Sequence, residues 1–111
     1  MPSGPIETRE HFRFVRRCIG MFIHPPYRYD NLVAYVIGFH NGSDGAPLDG
    51  FGEWLTKRTG KRDSRVFGSR IAEMATGIDK SGELTVEQSE AARNLLFELL
   101  DEFLTSQVPQ E

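Results

Sequence analysis

The last quarter of the chain constrains the fold most. Ala92, Leu95, Leu96, Phe97, Leu99, Leu100, Phe103 and Leu104 recur at the period of a helix. They occupy an arc of roughly 200°, wider than one neighbouring element can cover. Thr85-Val-Glu-Gln88 stands before them with the spacing of a capping box: a hydroxyl for the first free N–H groups and a Gln amide three residues on. A helix started there and running to about Ser106 needs several packing partners, so the remaining segments decide the fold class.

Those segments also carry helical periods. From about Thr8 to Cys18, the residues His11, Phe12, Phe14, Val15, Cys18 and Ile19 share a broad side, with Arg9, Arg13, Arg16 and Arg17 opposite. His24-Pro25-Pro26 then stops regular structure. Asp30 is placed to cap a second helix over Asn31–His40, ended by Asn41-Gly42; its β-branched residues leave a buried strand as the rival reading. Its apolar residues cover nearly the whole circumference, which puts it mid-fold, and Ala34 and Gly38 form a strip where a neighbour could come close. After the turn-rich Gly42–Ala46 stretch, Pro47 suits the first turn of a third helix. Leu48, Phe51, Trp54 and Leu55 give it one apolar face, Trp54 is expected in the core, and Gly60 ends it. Asp63 or Ser64 starts a fourth helix to Thr76, with Phe67, Ile71, Met74 and Ala75 inward and Gly77 at its end. The expected architecture is all-α: one compact domain of about five helices around a central apolar helix, the second, with short flexible ends at about 1–6 and 107–111. A chain of 111 residues suits one domain.

Several function classes lose support. No apolar run nears the roughly 18 residues that span a bilayer. The start lacks the basic-then-apolar order of a signal peptide, and the single cysteine, Cys18, has no intrachain partner. A cytoplasmic location is the expectation. Asp79-Lys-Ser-Gly82 resembles a calcium loop, but placing Gly82 at the obligatory turn puts Gly77 and Gln88 at ligand positions, and starting from Asp79 puts Leu84 at the turn. A polar turn before a capped helix is the better reading. Arg16-Arg-Cys-Ile-Gly-Met-Phe-Ile23 resembles a segment of gyrase B-type ATPases, yet no Asp-x-Gly-x-Gly occurs and Leu32–His40 holds no acid, so ATP binding is rejected.

His11, His24 and His40 lie on different elements without the i, i+4 spacing of a helical metal site; His11 and His40 are expected partly buried and hydrogen-bonded, and no metal or cofactor is expected. Cys18, on an apolar side, reads as an inert thiol. No nucleophile-elbow, P-loop or dinucleotide motif is found. Together these observations speak against an enzyme.

Charge is left as the feature able to recognise a partner. Residues 1–70 hold eleven Lys and Arg against seven acids, and residues 71–111 hold two against nine. Glu87, Glu90, Glu98, Asp101 and Glu102 form an acidic stripe on the last helix, a docking surface for a basic protein. Lys57, Arg58, Lys61, Arg62, Arg65 and Arg70 form a basic stretch, an alternative phosphate-binding face for nucleic acid. A plain solvated surface is the competing reading of both. The wide arc of the last helix also admits a homodimer built on it.

The order Arg17-x-x-Gly-Met-Phe-Ile23, Leu32-x-Ala-Tyr-Val-Ile-Gly-Phe39, Leu48-Asp-Gly-Phe-Gly-Glu-Trp-Leu55 and Leu96-Phe-Glu-Leu-Leu-Asp-Glu-Phe103 resembles small bacterial immunity-type proteins of polymorphic toxin systems. Ile19 stands where that group usually has Pro, and His24 where Gly is common. The resemblance spans roughly residues 11–104 and rests on core positions. It implies a helical protein that binds and neutralises a cognate toxin without chemistry of its own.

Overall fold

The computed structural model describes residues 4–25, 28–43, 45–63, 65–77 and 84–109. Among them it has six helices and no strand: α1 Pro5–Arg17, α2 Ile19–Phe22, α3 Tyr29–Gly42, α4 Phe51–Thr59, α5 Phe67–Thr76 and α6 Val86–Ser106. None is long and apolar enough to cross a membrane. The radius of gyration, 13.5 Å, fits the roughly 13 Å expected of one unit this long.

Local chemistry sets most helix ends. Pro5 occupies the first turn of α1, where a missing N–H costs nothing, so the helix begins earlier than the apolar period alone suggests. Gly60 and Gly77 close α4 and α5 in the left-handed region, at φ 71° and 78°. At α6, Gln88 N–H donates to Thr85 Oγ1 and Thr85 N–H donates to Gln88 Oε1, the reciprocal box the sequence announces.

Three further expected starts move. α3 begins at Tyr29, with Asp30 inside its first turn and held by Arg28, so Asp30 is not the N-cap. Residues 47–50 form turns ahead of α4, because Gly50 at φ 85° breaks the helical path that Pro47 could have opened. α5 begins at Phe67; Asp63 instead accepts the Arg65 N–H in a turn. Ser64 as a cap, Pro26 as a stop, Asp44 within its loop and the Asp79–Gly82 turn all lie outside the described residues.

The packing centre is α6, not α3. One side of α6 takes α1 and another takes α5, while α3 also reaches it. Phe103 meets Phe51 and Trp54 of α4 at ring-centroid distances of 5.2 and 5.7 Å. Of the eight residues in the wide apolar arc, seven are buried and Leu95 is partly so; the arc is filled from within the chain. Helix α3 buries Tyr29, Leu32, Val36 and Phe39, one stripe at i, i+3, i+7 and i+10. Ala34 and Gly38 lie opposite that stripe, on the exposed side, and no neighbour approaches Gly38.

The close approach uses Gly68 of α5 instead. A Cβ there would stand 2.9 Å from Val33 Cγ1, so this glycine is what lets α5 reach α3. Helix α5 turns its small residues, Gly68 and Ala72, into the core, which leaves Met74 exposed and Phe67 and Ala75 half-buried. Tyr29 fastens the same junction: its N–H donates to Ser89 Oγ and its hydroxyl donates to Gly68 O, each at 2.7 Å.

Candidate functional site

The two charged surfaces meet different fates. On α1, residues 9, 13 and 16 face residues 105, 101 and 98 of α6 in reverse order, so the two helices run antiparallel. Arg9 Nη1 donates to Thr105 Oγ1 at 3.1 Å. Arg13 forms a two-pronged pair with Asp101, its Nη2 3.0 Å from Oδ1. Arg16 lies 4.0 Å from Glu98 and stacks over Phe97. Asp101 is held below the ordinary carboxylate range, first by the hydrogen bonds from Arg13.

The outermost acid of the stripe, Glu102, takes Arg58 of α4, with Arg58 Nε donating to Oε1 at 2.7 Å. Three of the five expected docking carboxylates therefore face arginines of this chain. Glu87 and Glu90, on the first turns of α6, are exposed. Arg9, Arg13 and Arg16 of the arginine stripe expected on the outside of α1 are the other half of this seam, while the exposed Arg17 lies over Phe14 of its own helix.

The basic stretch resolves into three roles. Arg58 belongs to the α4–α6 pair just described. Arg65 is clamped between two acids: its Nη2 lies 2.6 Å from Asp63 Oδ2 and its Nη1 2.6 Å from Glu73 Oε2. That clamp holds the Asp63 carboxyl far below its usual range, first through the Arg65 side chain and then through its N–H. Arg70, expected on the surface, is only 6% exposed. It crosses from α5 to α4, where Nη1 donates to Gly52 O at 3.0 Å and Nη2 to Thr56 Oγ1 at 3.2 Å. Lys57, Lys61 and Arg62 are exposed, and no ion pair engages them among the described residues.

These three cations sit at one corner, where α4 ends at Gly60 and the chain turns toward α5. Val66, 66% exposed, lies on the same connection, and Met74, 45% exposed, stands nearby on α5. Beneath the corner is a cavity of about 240 Å³, lined by Lys61, Asp63, Arg65, Arg70, Glu73 and Met74 together with Thr59. A second hollow of about 210 Å³, lined by Val36, Ile37, His40, Leu48, Phe51 and Phe67, is mainly apolar.

Two of the histidine rings, those of His11 and His40, are satisfied within the fold, while His24 is exposed. His11 stacks on Phe39 with centroids 4.6 Å apart, and its Nε2 shares a 2.7 Å hydrogen bond with the Tyr35 hydroxyl. Burial lowers its pKa. His40 Nδ1 accepts the Leu48 N–H at 3.1 Å, which leaves any proton of the neutral ring on Nε2. The His24 carbonyl accepts from Asn31. Cys18 is half-buried, at the break between α1 and α2. Among the described residues, no three His, Cys, Asp or Glu side chains converge as a metal site would require.

Sequence reasoning found the corner's cations but missed the burial of Arg70. The signal was present: Arg70 lies one residue before the core residue Ile71, on a helix whose apolar face is short. Comparison of the chain with protein-family models, with curated proteins and with solved structures finds no match.

Proposed function

We propose that the protein is a non-catalytic protein-binding module whose recognition face is the cationic corner between α4 and α5. One observation carries this reading. Lys57, Lys61 and Arg62 are exposed without ion-pair partners beside exposed Val66 and Met74, whereas most of the acidic stripe is occupied by the chain's own arginines. Uncommitted cations attract an acidic surface and speed encounter. The apolar side chains beside them favour a protein over nucleic acid, because methionine and aliphatic contacts belong to protein interfaces. Nucleic acid would be served by aromatics interleaved with the cations, and none of the exposed large hydrophobics at this corner is aromatic.

The resemblance to immunity-type proteins of polymorphic toxin systems names the first partner to test, a toxin encoded beside this chain. The test is co-purification of the tagged chain from its native cell, repeated with Lys57→Glu/Arg62→Glu. A stoichiometric protein retained by the wild type and lost by the double variant is the expected result. Retention by both moves the face elsewhere, to Glu87 and Glu90 first. Recovery of nucleic acid alone, with salt-sensitive binding in a direct titration, overturns the protein reading.

A further inference from the structure

The cavity beneath the corner holds a cation that the fold leaves incompletely answered. Arg70 is more than nine-tenths buried, yet its described hydrogen-bond partners are the neutral Gly52 carbonyl and Thr56 hydroxyl. No described carboxylate lies within ion-pair distance of it. A buried guanidinium with only neutral acceptors bears a desolvation cost that an anion would offset. Asp63 and Glu73 also line the cavity, and Asp63 interacts with the Arg70 charge at longer range, but both make their close ion pairs with Arg65. Lys61 stands at the exposed side of the same cavity with no ion-pair partner.

Charge and size narrow the occupant. Lys61, Arg65 and Arg70 against Asp63 and Glu73 leave one unit of positive charge. A monoanion matches that excess, whereas a phosphate dianion would face two carboxylates with one negative charge in surplus. A volume of about 240 Å³ falls below the roughly 300 Å³ at which drug-sized ligand pockets begin, so it suits a terminal group more than a whole nucleotide. Guanidinium donors suit a planar carboxylate, whose two oxygens can accept from Arg70 and from the Lys61 ammonium together. Met74 supplies an apolar wall for the methylene that carries such a group.

We infer that this cavity is a carboxylate-binding pocket, which seats an Asp or Glu side chain of the partner protein under the corner. The identity of the occupant's source rests on the protein-binding reading above; the affinity for a carboxylate does not.

The test uses the full chain, isotopically labelled, and sodium acetate as the probe, with sodium chloride at matched ionic strength and sodium phosphate at pH 8 as comparisons. The Arg70 Nε–H and Lys61 backbone N–H resonances should shift saturably with acetate and not with chloride. Phosphate should bind more weakly than acetate. Lys61→Gln should weaken acetate several-fold, and Arg70→Gln by about tenfold or more, the loss of a charge-assisted hydrogen bond. Since Arg70 also ties α4 to α5, Arg70→Gln may be read only where its amide spectrum stays native, and the exposed Lys61→Gln carries the test otherwise. A response that tracks chloride, one unchanged in Lys61→Gln, or tighter phosphate than acetate binding overturns the pocket. Lys57→Glu/Arg62→Glu separates the two ideas, since neither residue lines the cavity. That variant should lose the partner and keep acetate binding; a wild type that captures a partner but shows no acetate response removes the pocket alone, and one that binds acetate without any protein partner removes the functional reading alone.

Discussion

The α1–α6 seam and the α4–α5 corner are built from the same residue types and treat them oppositely. At the seam, arginines one to two turns apart meet acids at matching spacing on an antiparallel neighbour, so Arg13 and Arg16 answer Asp101 and Glu98. At the corner, Lys57 lies in the last turn of α4 and Lys61 and Arg62 just beyond its end; the nearby acids Glu102 and Glu73 are taken by Arg58 and Arg65, and these three cations stay exposed. Charge along a sequence therefore does not predict a charged recognition face. The facing element decides it, and a cation becomes available for a partner where no neighbour's acid is placed opposite it.

Removing the apolar contact that joins α4 to α6 should produce the largest effect. Phe103→Ala takes away the ring that meets Phe51 and Trp54 and should cost about 3–5 kcal/mol, measured by urea unfolding. Because α4 leans on that ring, the variant should also loosen the corner, seen as faster amide exchange over residues 51–59. An unchanged exchange pattern there would separate the two regions completely.

Gly68→Ala comes next. Its new methyl would meet Val33 at 2.9 Å and should cost roughly 1–3 kcal/mol by overpacking. Adding Val33→Ala should recover part of that loss, a sign-reversed coupling that a double-mutant cycle reads directly. Additive losses would mean that the clash is not what the glycine avoids.

At the seam, Thr8 is fully buried and its hydroxyl has no hydrogen-bond partner among the described residues. Thr8→Val should therefore stabilise by about 1 kcal/mol, against the usual direction for a core substitution. A fall in Tm would show that the hydroxyl is satisfied in solution.

Near neutral pH, the response should also belong to the α1 side. Burial lowers the His11 pKa, so the folded protein favours the neutral ring while the unfolded chain takes up a proton near pH 6.5. Its contribution is complete above that pH and is lost as pH falls through the folded value. His11→Phe should flatten stability between pH 7 and 5. Asp101 and Asp30, depressed by Arg13 and Arg28, add a second loss only below about pH 4.

The smallest effects should come from single charges, and their contrast is the informative part. Arg13→Gln should lower Tm slightly, by an amount that added salt diminishes. Lys57→Gln should leave Tm unchanged at any salt concentration.

What was legible in the sequence follows the range of the forces involved. The capping box at Thr85 and Gln88 and the stops at Gly60 and Gly77 depend on a few adjacent residues, and they stand as read. The apolar arc of α6 was equally plain, and its width announced more than one neighbour. Its place as packing centre was hidden, because α3 has the higher apolar density and density was taken for centrality. Ala34 and Gly38 look like a close-contact strip only until the stripe of α3 is known. The real contact pairs a glycine of α5 with a valine of α3, a long-range match that no single-helix period contains. The corner's cations could be found by counting, but their separation into clamped Arg65, buried Arg70 and exposed Lys61 depends on tertiary placement.

The position of α6 also bears on how the protein is made. The bonds from Arg9 to Thr105 and from Arg13 to Asp101 span 96 and 88 residues. During synthesis the first five helices emerge before the element that most of them pack against. Until α6 clears the ribosome, the faces that pack against it have no lasting cover, and native assembly waits for that helix. For this fold, the emergence of α6 is itself the trigger for collapse.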